Sequence, residues 1–316
     1  MRTVTALDSR FVERVPALNR HTLPADEVAC APAGSHRETF TSLLKRCDAV
    51  LVIAPETGGI LAGLTAQAER AGVPVLGSSA SAVRIAGNKA ACHQLFREAG
   101  LPAPPSRTCR DCLEARVAEQ LGYPLVLKPV DGAGCEGICR VDRPSELGSA
   151  VAKMRRSGAK VLLQPFISGI DVSVSLLAAG DRRLPLCLNR QIIRAGAKFR
   201  YMGSQVPFDH RQAAACVDLA CSAAGLIPGL SGYIGVDLIL TEDSPQLIEI
   251  NPRLTTSYIG MRQVMAINLA KAITDACLKG ILPDRVPISG QATVIKDDPG
   301  SWGLAHAEAR RRGEGK

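Results

Sequence analysis

Two apolar segments on either side of a short polar turn constrain the fold more than any other part of the sequence. The segments span residues 235–240 and 246–251. This pattern is typical of two β-strands in a hairpin. Folding about the turn places Asp237 opposite Glu249, and Asn251 follows two residues later on the same face of its strand. The sequence therefore predicts a pair of facing carboxylates.

Facing carboxylates repel each other across a strand pair, so we expect a cation between them. Asp237, Glu249 and Asn251 offer only hard oxygen ligands, which suit Mg²⁺ (or Mn²⁺) better than zinc or copper. Arg253 follows directly and adds a fixed positive charge. A metal ion held by carboxylates beside an arginine is what a bound polyphosphate needs.

Composition excludes several classes of function. The chain has 316 residues and a net charge of +8, which is spread along the sequence apart from the arginine-rich end at 309–316. Aromatic residues make up only 3%, so a base-stacking surface and a nucleic-acid partner are not expected. No apolar run approaches the roughly 20 residues of a membrane span, and the N-terminus lacks the apolar core of a signal peptide. We therefore expect a cytoplasmic protein without a membrane partner.

The chain divides into four predicted segments. Residues 1–84 are predicted to form a doubly wound α/β lobe, because the apolar run 48–54 is typical of a buried parallel strand. Residues 85–165 carry a glycine-rich loop, and residues 166–285 carry the hairpin. Both of these lobes mix strands and helices. Residues 286–316 are predicted to form a C-terminal segment that ends in a basic tail.

The glycine-rich loop matches the pattern G-x-G-x-x-G at Gly132, Gly134 and Gly137. In a dinucleotide-binding fold, the last glycines of this pattern open a helix. Here residues 138–141 favour a strand, so the loop joins two strands. Such a flap can close its backbone N–H groups over phosphates, although a hairpin turn without a ligand remains open. Lys128 ends the strand before the flap.

Five sequence motifs, taken in order, resemble the ATP-grasp family. They are Gly87-Asn-Lys89, Leu127-Lys-Pro129, the flap over 131–137, the stretch 163–174 and the hairpin from Val236 to Arg253. The resemblance covers about residues 45–280. It implies an ATP-grasp fold in which the N-terminal α/β lobe is followed by two ATP-binding α+β lobes.

The resemblance also implies a nucleotide site between the two α+β lobes. It implies phosphate contacts from Lys89, Lys128, Gly132, Gly134 and Gly137. It implies an adenine hinge and a ribose contact from Gln164, Phe166, Ile167 and Asp171, where Gln164 replaces a more usual glutamate. It implies that Asp237, Glu249 and Asn251 hold Mg²⁺.

Further stretches at 54–60, 188–191, 199–201 and 251–260 resemble the tyramine–glutamate ligase group, which builds the side chain of methanofuran-type one-carbon cofactors. Members of that group usually begin with an extra strand and a glycine-rich turn, which lie ahead of the point where this chain starts. The first lobe of this chain is therefore expected to be shortened.

The implied activity is an ATP-dependent carboxylate–amine ligase that works through an acyl phosphate and forms ADP and phosphate. Arg253 and Lys128 are its implied catalytic residues. The implied substrates are glutamate and an aromatic amine, tyramine or tyrosine. Assembly into a homodimer stays open. Two other classes also stay open. One is a different ATP-grasp ligase, such as a peptide ligase or a carboxylase subunit, and the other is an ATP-binding regulatory protein without turnover.

Three further residues are tentative substrate contacts. Glu56 follows a predicted strand end, where ligands of α/β sheets bind, although it could equally cap a helix. Asn189 lies on a predicted strand and could face either a substrate or the solvent. Arg262 opens a long helix predicted over 262–279, where it could meet an anionic substrate.

Overall fold

The structure is a computed structural model that describes residues 4–8, 26–32, 34–108, 114–194, 196, 199–298 and 301–308. The basic tail predicted at the C-terminus lies outside these residues. The described strands form three sheets with helices packed against them. The boundaries predicted at residues 84, 165 and 285 stay predictions.

The first lobe is α/β. Strands β1 (Val4–Asp8) and β2 (Glu27–Ala31) pair in parallel. Helices follow at His36–Leu44, Ile60–Arg70, Ala80–Ala86 and Lys89–Glu98, with a 3-10 turn at Thr57–Gly59. The side chains of Ser79 and Asn88 cap the last two helices by accepting from backbone N–H groups.

The buried strand predicted over 48–54 is wrong, because the run forms no strand and its Leu51 and Ile53 side chains are exposed. This run makes only a single parallel bridge, between Val50 and Val75. Val50 donates to the carbonyl of Pro74 and accepts from Leu76. Pro74 has no N–H group to donate to the Asp48 carbonyl, so the pairing cannot extend to that side of Val50.

The second lobe contains a four-stranded antiparallel sheet in the order β3-β6-β4-β5. These strands are β3 (Arg107–Thr108), β4 (Leu125–Pro129), β5 (Cys139–Val141) and β6 (Val161–Pro165). Helices Glu114–Leu121 and Pro144–Arg156 form one apolar core with Leu125 and Leu127. Because side chains alternate along a strand, Val126 and Lys128 face the other way, into the cleft.

The third lobe contains a seven-stranded antiparallel sheet in the order β11-β10-β7-β8-β9-β12-β13. Its strands are β7 (Ile170–Ala179), β8 (Arg182–Arg194), β9 (Arg200–Val206), β10 (Gly232–Leu240), β11 (Pro245–Asn251), β12 (Gln291–Asp298) and β13 (Ser301–Glu308). Helices Lys89–Glu98 and Ala213–Gly225 share a core with one face. Helices Ser257–Val264 and Leu269–Lys279 share a second core with the other face.

The long helix predicted over 262–279 is therefore wrong, because the structure has two helices. Asn268 ends the connection by accepting from the Lys271 N–H group, which starts a new helix. Met265, which lies in the connection between the two helices, forms an isolated antiparallel β-bridge with Ile288. Among the described residues, no helix is long and apolar enough to cross a membrane.

Gly203 on β9 provides a test of the sheet packing. It has a φ of 149°, and a Cβ atom there would lie 2.0 Å from the Val294 carbonyl oxygen on β12. We expect Gly203→Ala to lower the free energy of unfolding by about 1–3 kcal/mol, because the backbones must separate. The measurement is thermal unfolding followed by circular dichroism.

Gly148 is the matched control, because it lies on an exposed helix surface where an added Cβ atom would have no neighbour within 4 Å. Gly148→Ala should raise the free energy of unfolding by about 0.5–1 kcal/mol. Equal effects of the two substitutions would contradict the close approach of β9 and β12.

Candidate active site

The hairpin of β10 and β11 confirms the predicted register, because Asp237 pairs directly with Glu249. One oxygen of Asp237 accepts from the Gln191 side chain at 2.8 Å, and the other accepts from Asn251 at 3.2 Å. Both carboxylate oxygens are therefore held by neutral amides. The sequence did not indicate the part played by Gln191, which lies on β8.

The two facing carboxylates differ in their electrostatic surroundings. Burial raises the pKa of Asp237, and the negative charge of Glu249 raises it further. Burial alone would raise the pKa of Glu249 as well, but the charges of Lys89 and Lys128 outweigh it and lower the pKa of Glu249. Glu249 thus forms a direct ion pair with Lys89, whereas the two oxygens of Asp237 accept from amides. A divalent cation between the two carboxylates would add positive charge beside Asp237.

The donor set at this position is two carboxylates and one amide. Asp237, Glu249 and Asn251 fit a hard cation such as Mg²⁺ and offer no soft ligand. In the described part of the chain, no group of three or more His, Cys, Asp and Glu residues could hold a metal ion. The hairpin stays the predicted site of the expected cation.

The two predicted phosphate-binding lysines come together from a helix and from strand β4. Lys89 opens helix Lys89–Glu98, and its ammonium group lies 3.1 Å from a Glu249 carboxylate oxygen. Burial alone would lower the pKa of Lys89, but the charge of Glu249 outweighs it and raises that pKa. Lys128 is 4% exposed, and burial lowers its pKa to about 8 despite the charge of Glu249.

A cavity of about 210 Å³ lies beside these charges, between the second and third lobes. Most of the predicted nucleotide residues line it, namely Lys89, Lys128, Gly132, Gly134, Gln164, Phe166, Ile167, Asp171, Asp237 and Glu249. Gly137 does not line it but packs on Pro129, where a Cβ atom would lie 2.9 Å from the proline ring. Lys89 also donates to the carbonyl of Gly132 and so joins the flap to the charged groups.

The hinge side of the cavity contains residues that the sequence did not indicate. The Gln164 side chain contacts Ser106 and the ring of His93. Burial, followed by the charge of Lys128, lowers the pKa of His93 to about 3, so the ring is neutral. Arg140 lies 4.3 Å from the ring centre of Phe166. Burial raises the pKa of Asp171 to about 6.

Arg253 forms a bidentate ion pair with Glu56. Its Nε and Nη2 atoms lie 2.8 and 3.0 Å from the two Glu56 oxygens. Glu56 makes no side-chain capping bond at the 3-10 turn that it precedes, and Arg253 occupies both of its oxygens. The structure therefore supports neither of the roles expected for Glu56.

The other two tentative substrate contacts also lie away from the cavity. Asn189 is fully buried, and its amide donates to Ser173 and Ser175 on the neighbouring strand. Arg262 is exposed on helix Ser257–Val264 and does not line the cavity. The strand pattern around Asn189 could not distinguish a polar core position from a substrate contact.

Comparison with protein families agrees with this geometry. Residues 86–257 match the family model described as the ATP-grasp domain, and residues 1–83 match the pre ATP-grasp 3 domain. The chain belongs to the ATP-grasp family. This confirms the resemblance inferred from the five sequence motifs, and with it the mixed α/β fold.

Among ATP-grasp proteins, a tyramine–L-glutamate ligase of Methanocaldococcus jannaschii is 33% identical over 226 residues, which cover 70% of this chain and 61% of that protein. A D-alanine–D-alanine ligase of Mycobacterium ulcerans is 31% identical over 240 residues, covering 67% of this chain and 64% of that protein. The chain thus matches less than two thirds of the length of either relative.

The ATP-grasp fold is also clear from solved structures. The biotin carboxylase domain of the Hydrogenobacter thermophilus 2-oxoglutarate carboxylase, determined with MgADP and bicarbonate, has a TM-score of 0.77 and 19% identity. The match covers 93% of this chain and 69% of that chain. At this identity the likeness establishes the fold alone.

The raised pKa of Asp237 gives a stability prediction. A carboxyl group whose pKa is raised on folding destabilises the folded state at pH values above its unfolded pKa. At pH 7, Asp237→Asn should therefore raise the free energy of unfolding in metal-free buffer, by on the order of 1 kcal/mol. It should also remove the stabilisation that Mg²⁺ and a nucleoside triphosphate give together.

The measurement is the thermal midpoint with and without these ligands. Asp218→Asn, at an exposed position on helix Ala213–Gly225, is the matched control and should change neither quantity. A lower midpoint of the Asp237 variant without metal, with ligand stabilisation intact, would contradict the proposed cation site.

Proposed function

We propose that this protein is an ATP-dependent ligase that joins a carboxylic acid to an amine. The observation that carries the proposal is the group formed by Asp237, Glu249, Lys89 and Lys128, which borders the cavity beside the glycine flap. Two lysines and a cation site can bind a triphosphate. The cavity extends past Gln164 to Asp171, which leaves room for a nucleoside.

The nature of the charged group favours turnover over binding alone. Nucleotide binding does not demand a complete set of oxygen ligands, and here Asp237, Glu249 and Asn251 all stand together. The two relatives described above are named for joining an amino acid to an amine or to a second amino acid. Both activities are carboxylate–amine ligations that a site of this kind can support.

The chemistry proceeds in two steps. An oxygen of the acid attacks the γ-phosphorus of ATP, the bond from that phosphorus to the bridging oxygen breaks, and ADP leaves. The amine then attacks the acyl carbon, phosphate leaves with the carbon–oxygen bond electrons, and the amine loses a proton to solvent. Lys89 and Lys128 donate to the phosphate oxygens, and the flap excludes water from them.

Arg253 would stabilise the oxyanion of the tetrahedral intermediate, since it is a fixed donor next to the hairpin. Mg²⁺ (or Mn²⁺), when bound by Asp237, Glu249 and Asn251, supplies positive charge to the phosphates of the nucleotide. The expected acid is glutamate, and the expected amine is tyramine or tyrosine, as in methanofuran-type cofactor biosynthesis in the cytoplasm. A peptide ligase is the second candidate, favoured by the 31% identity to a D-alanine–D-alanine ligase.

The first experiment is a substrate panel. The protein is incubated with ATP, Mg²⁺, one of several acids and one of several amines, and ADP and phosphate are measured. We expect ADP release that depends on both an acid and an amine, with glutamate and tyramine or tyrosine as the most active pair. D-alanine with D-alanine tests the second candidate. Nucleotide binding without release for any pair would contradict the ligase proposal.

Buried Lys128 predicts a pH dependence of ATP binding. Its pKa is about 8, so it loses its proton as the pH rises through 8 in the free protein. Only the protonated side chain attracts a triphosphate, and the affinity for MgATP should therefore fall above pH 8, by up to about tenfold per pH unit. Calorimetric titration from acid to alkaline pH measures this dependence.

Lys128→Arg is the control, because a guanidinium stays charged over the whole range. Its affinity profile should be flat above pH 8. An equally flat profile for the unmodified protein would show that Lys128 keeps its proton or does not contact the triphosphate.

A further inference from the structure

A buried ion pair ties the first lobe to the loop that follows the metal-site hairpin. The Glu56 side chain is 5% exposed and the Arg253 side chain 17%, and the two lie 197 residues apart in the sequence. Exposed ion pairs contribute little to stability or orientation, whereas a bidentate buried pair fixes the plane of the guanidinium. This pair therefore determines where the remaining donors of Arg253 point.

The donors of Arg253 can be counted. A guanidinium has five N–H groups. Two serve Glu56, one contacts the Asn251 oxygen at 3.4 Å from Nη2, and one donates from Nη1 to the Leu254 carbonyl at 3.3 Å. In the described part of the chain, this leaves one Nη1 hydrogen for a ligand. The arginine is thus held in a single orientation with one directed donor.

The position of Glu56 is itself fixed from two sides. Gly58 and Gly59 both have positive φ angles, of 63° and 68°. Residues other than glycine would be strained in this backbone conformation. The N–H group of Gly58 donates to Asp131 at 2.9 Å, at the start of the flap. On the other side, Glu56 packs against Gly87, where a Cβ atom would lie 3.2 Å from the glutamate chain.

We propose that Glu56 is a positioning residue that aims the free donor of Arg253 at the acyl centre. The same turn contacts the flap, because the Gly58 N–H group donates to Asp131. The proposal rests on the proposed ligase function. In this proposal Glu56 acts through Arg253 and does not itself contact a substrate.

The negative charge of Glu56 also compensates the positive charge of Arg253. Arg253 therefore offers a directed hydrogen bond and not an unpaired cation. An unpaired cation would hold the acid substrate or the phosphate product in the ground state as strongly as it holds the transition state. Loss of Glu56 should therefore lower kcat without raising the KM for the acid.

The test compares two identical substitutions at two ion pairs. Glu56→Gln should lower kcat by about 10- to 100-fold, since a reacting group misplaced by about 1 Å costs up to that factor. The KM for the acid should not rise, and the dissociation constant of MgATP should stay within about twofold, because the nucleotide groups are intact. Glu27→Gln is the control, because Glu27 forms a similar bidentate pair with Arg46 at the protein surface, and its kinetics should match those of the unmodified protein.

A double-substitution cycle separates positioning from general stability. If Glu56 acts through Arg253, the variant with both Glu56→Gln and Arg253→Gln should be no slower than Arg253→Gln alone. Thermal midpoints are measured for every variant. If Glu56→Gln does not fold, Glu56→Asp takes its place, since it keeps the charge but shortens the reach, and the same loss of kcat is expected.

Two results would overturn the inference while leaving the ligase function intact. One is Glu56→Gln kinetics equal to those of Glu27→Gln in an active enzyme. The other is a double variant whose loss is the product of the two single losses. Absence of acid- and amine-dependent ADP release from the unmodified protein is a different result, which contradicts the proposed function and this inference together.

Discussion

The facing carboxylates of Asp237 and Glu249 impose the condition on which the rest of the site depends. Like charges across a strand pair are unfavourable, and burial makes them more so. Lys89 forms an ion pair with Glu249, whereas the two oxygens of Asp237 accept from the amides of Gln191 and Asn251. The imbalance is local, and it lies beside the cavity. We infer that a cation completes the hairpin, and the proposed cation and phosphate binding then become parts of one electrostatic arrangement.

The polar face beneath Asp237 explains how this unfavourable pair is tolerated. Ser173 on β7 lies between Asp237 on β10 and Asn189 on β8 in the sheet register. The Asn189 amide bonds to Ser173 and to Ser175, and the Ser175 hydroxyl bonds to Tyr233. Buried polar groups that satisfy one another hold neighbouring strands in a fixed register. This network joins β8, β7 and β10, and we infer that Asn189 supports the position of Asp237 and does not contact a substrate.

Features that depend on residues close together in the sequence could be predicted, whereas contacts between distant segments could not. The register that pairs Asp237 with Glu249 was predictable, because a short turn and a period of two determine it. The strand predicted over 48–54 cannot pair on the Asp48 side of Val50, because the neighbouring segment contains Pro74, which lies outside the run itself. The contact of Glu56 with Arg253 could not be predicted, since it joins residues 197 positions apart and neither segment shows a pattern. Local periodicity thus predicts individual strands and hairpins, whereas side-chain contacts between lobes are visible only in the three-dimensional structure.

This difference in range separates the two halves of the proposed reaction. The predicted phosphate, hinge and metal residues all lie within the matched ATP-grasp domain of residues 86–257. Arg253 lies there too, but the carboxylate that orients it comes from the pre ATP-grasp 3 domain, at Glu56. The nucleotide half of the site is therefore complete within one domain, and the acyl-transfer half is not. Because the turn at Glu56 also contacts Asp131, the first lobe touches both halves and forms part of the proposed site that joins acid to amine.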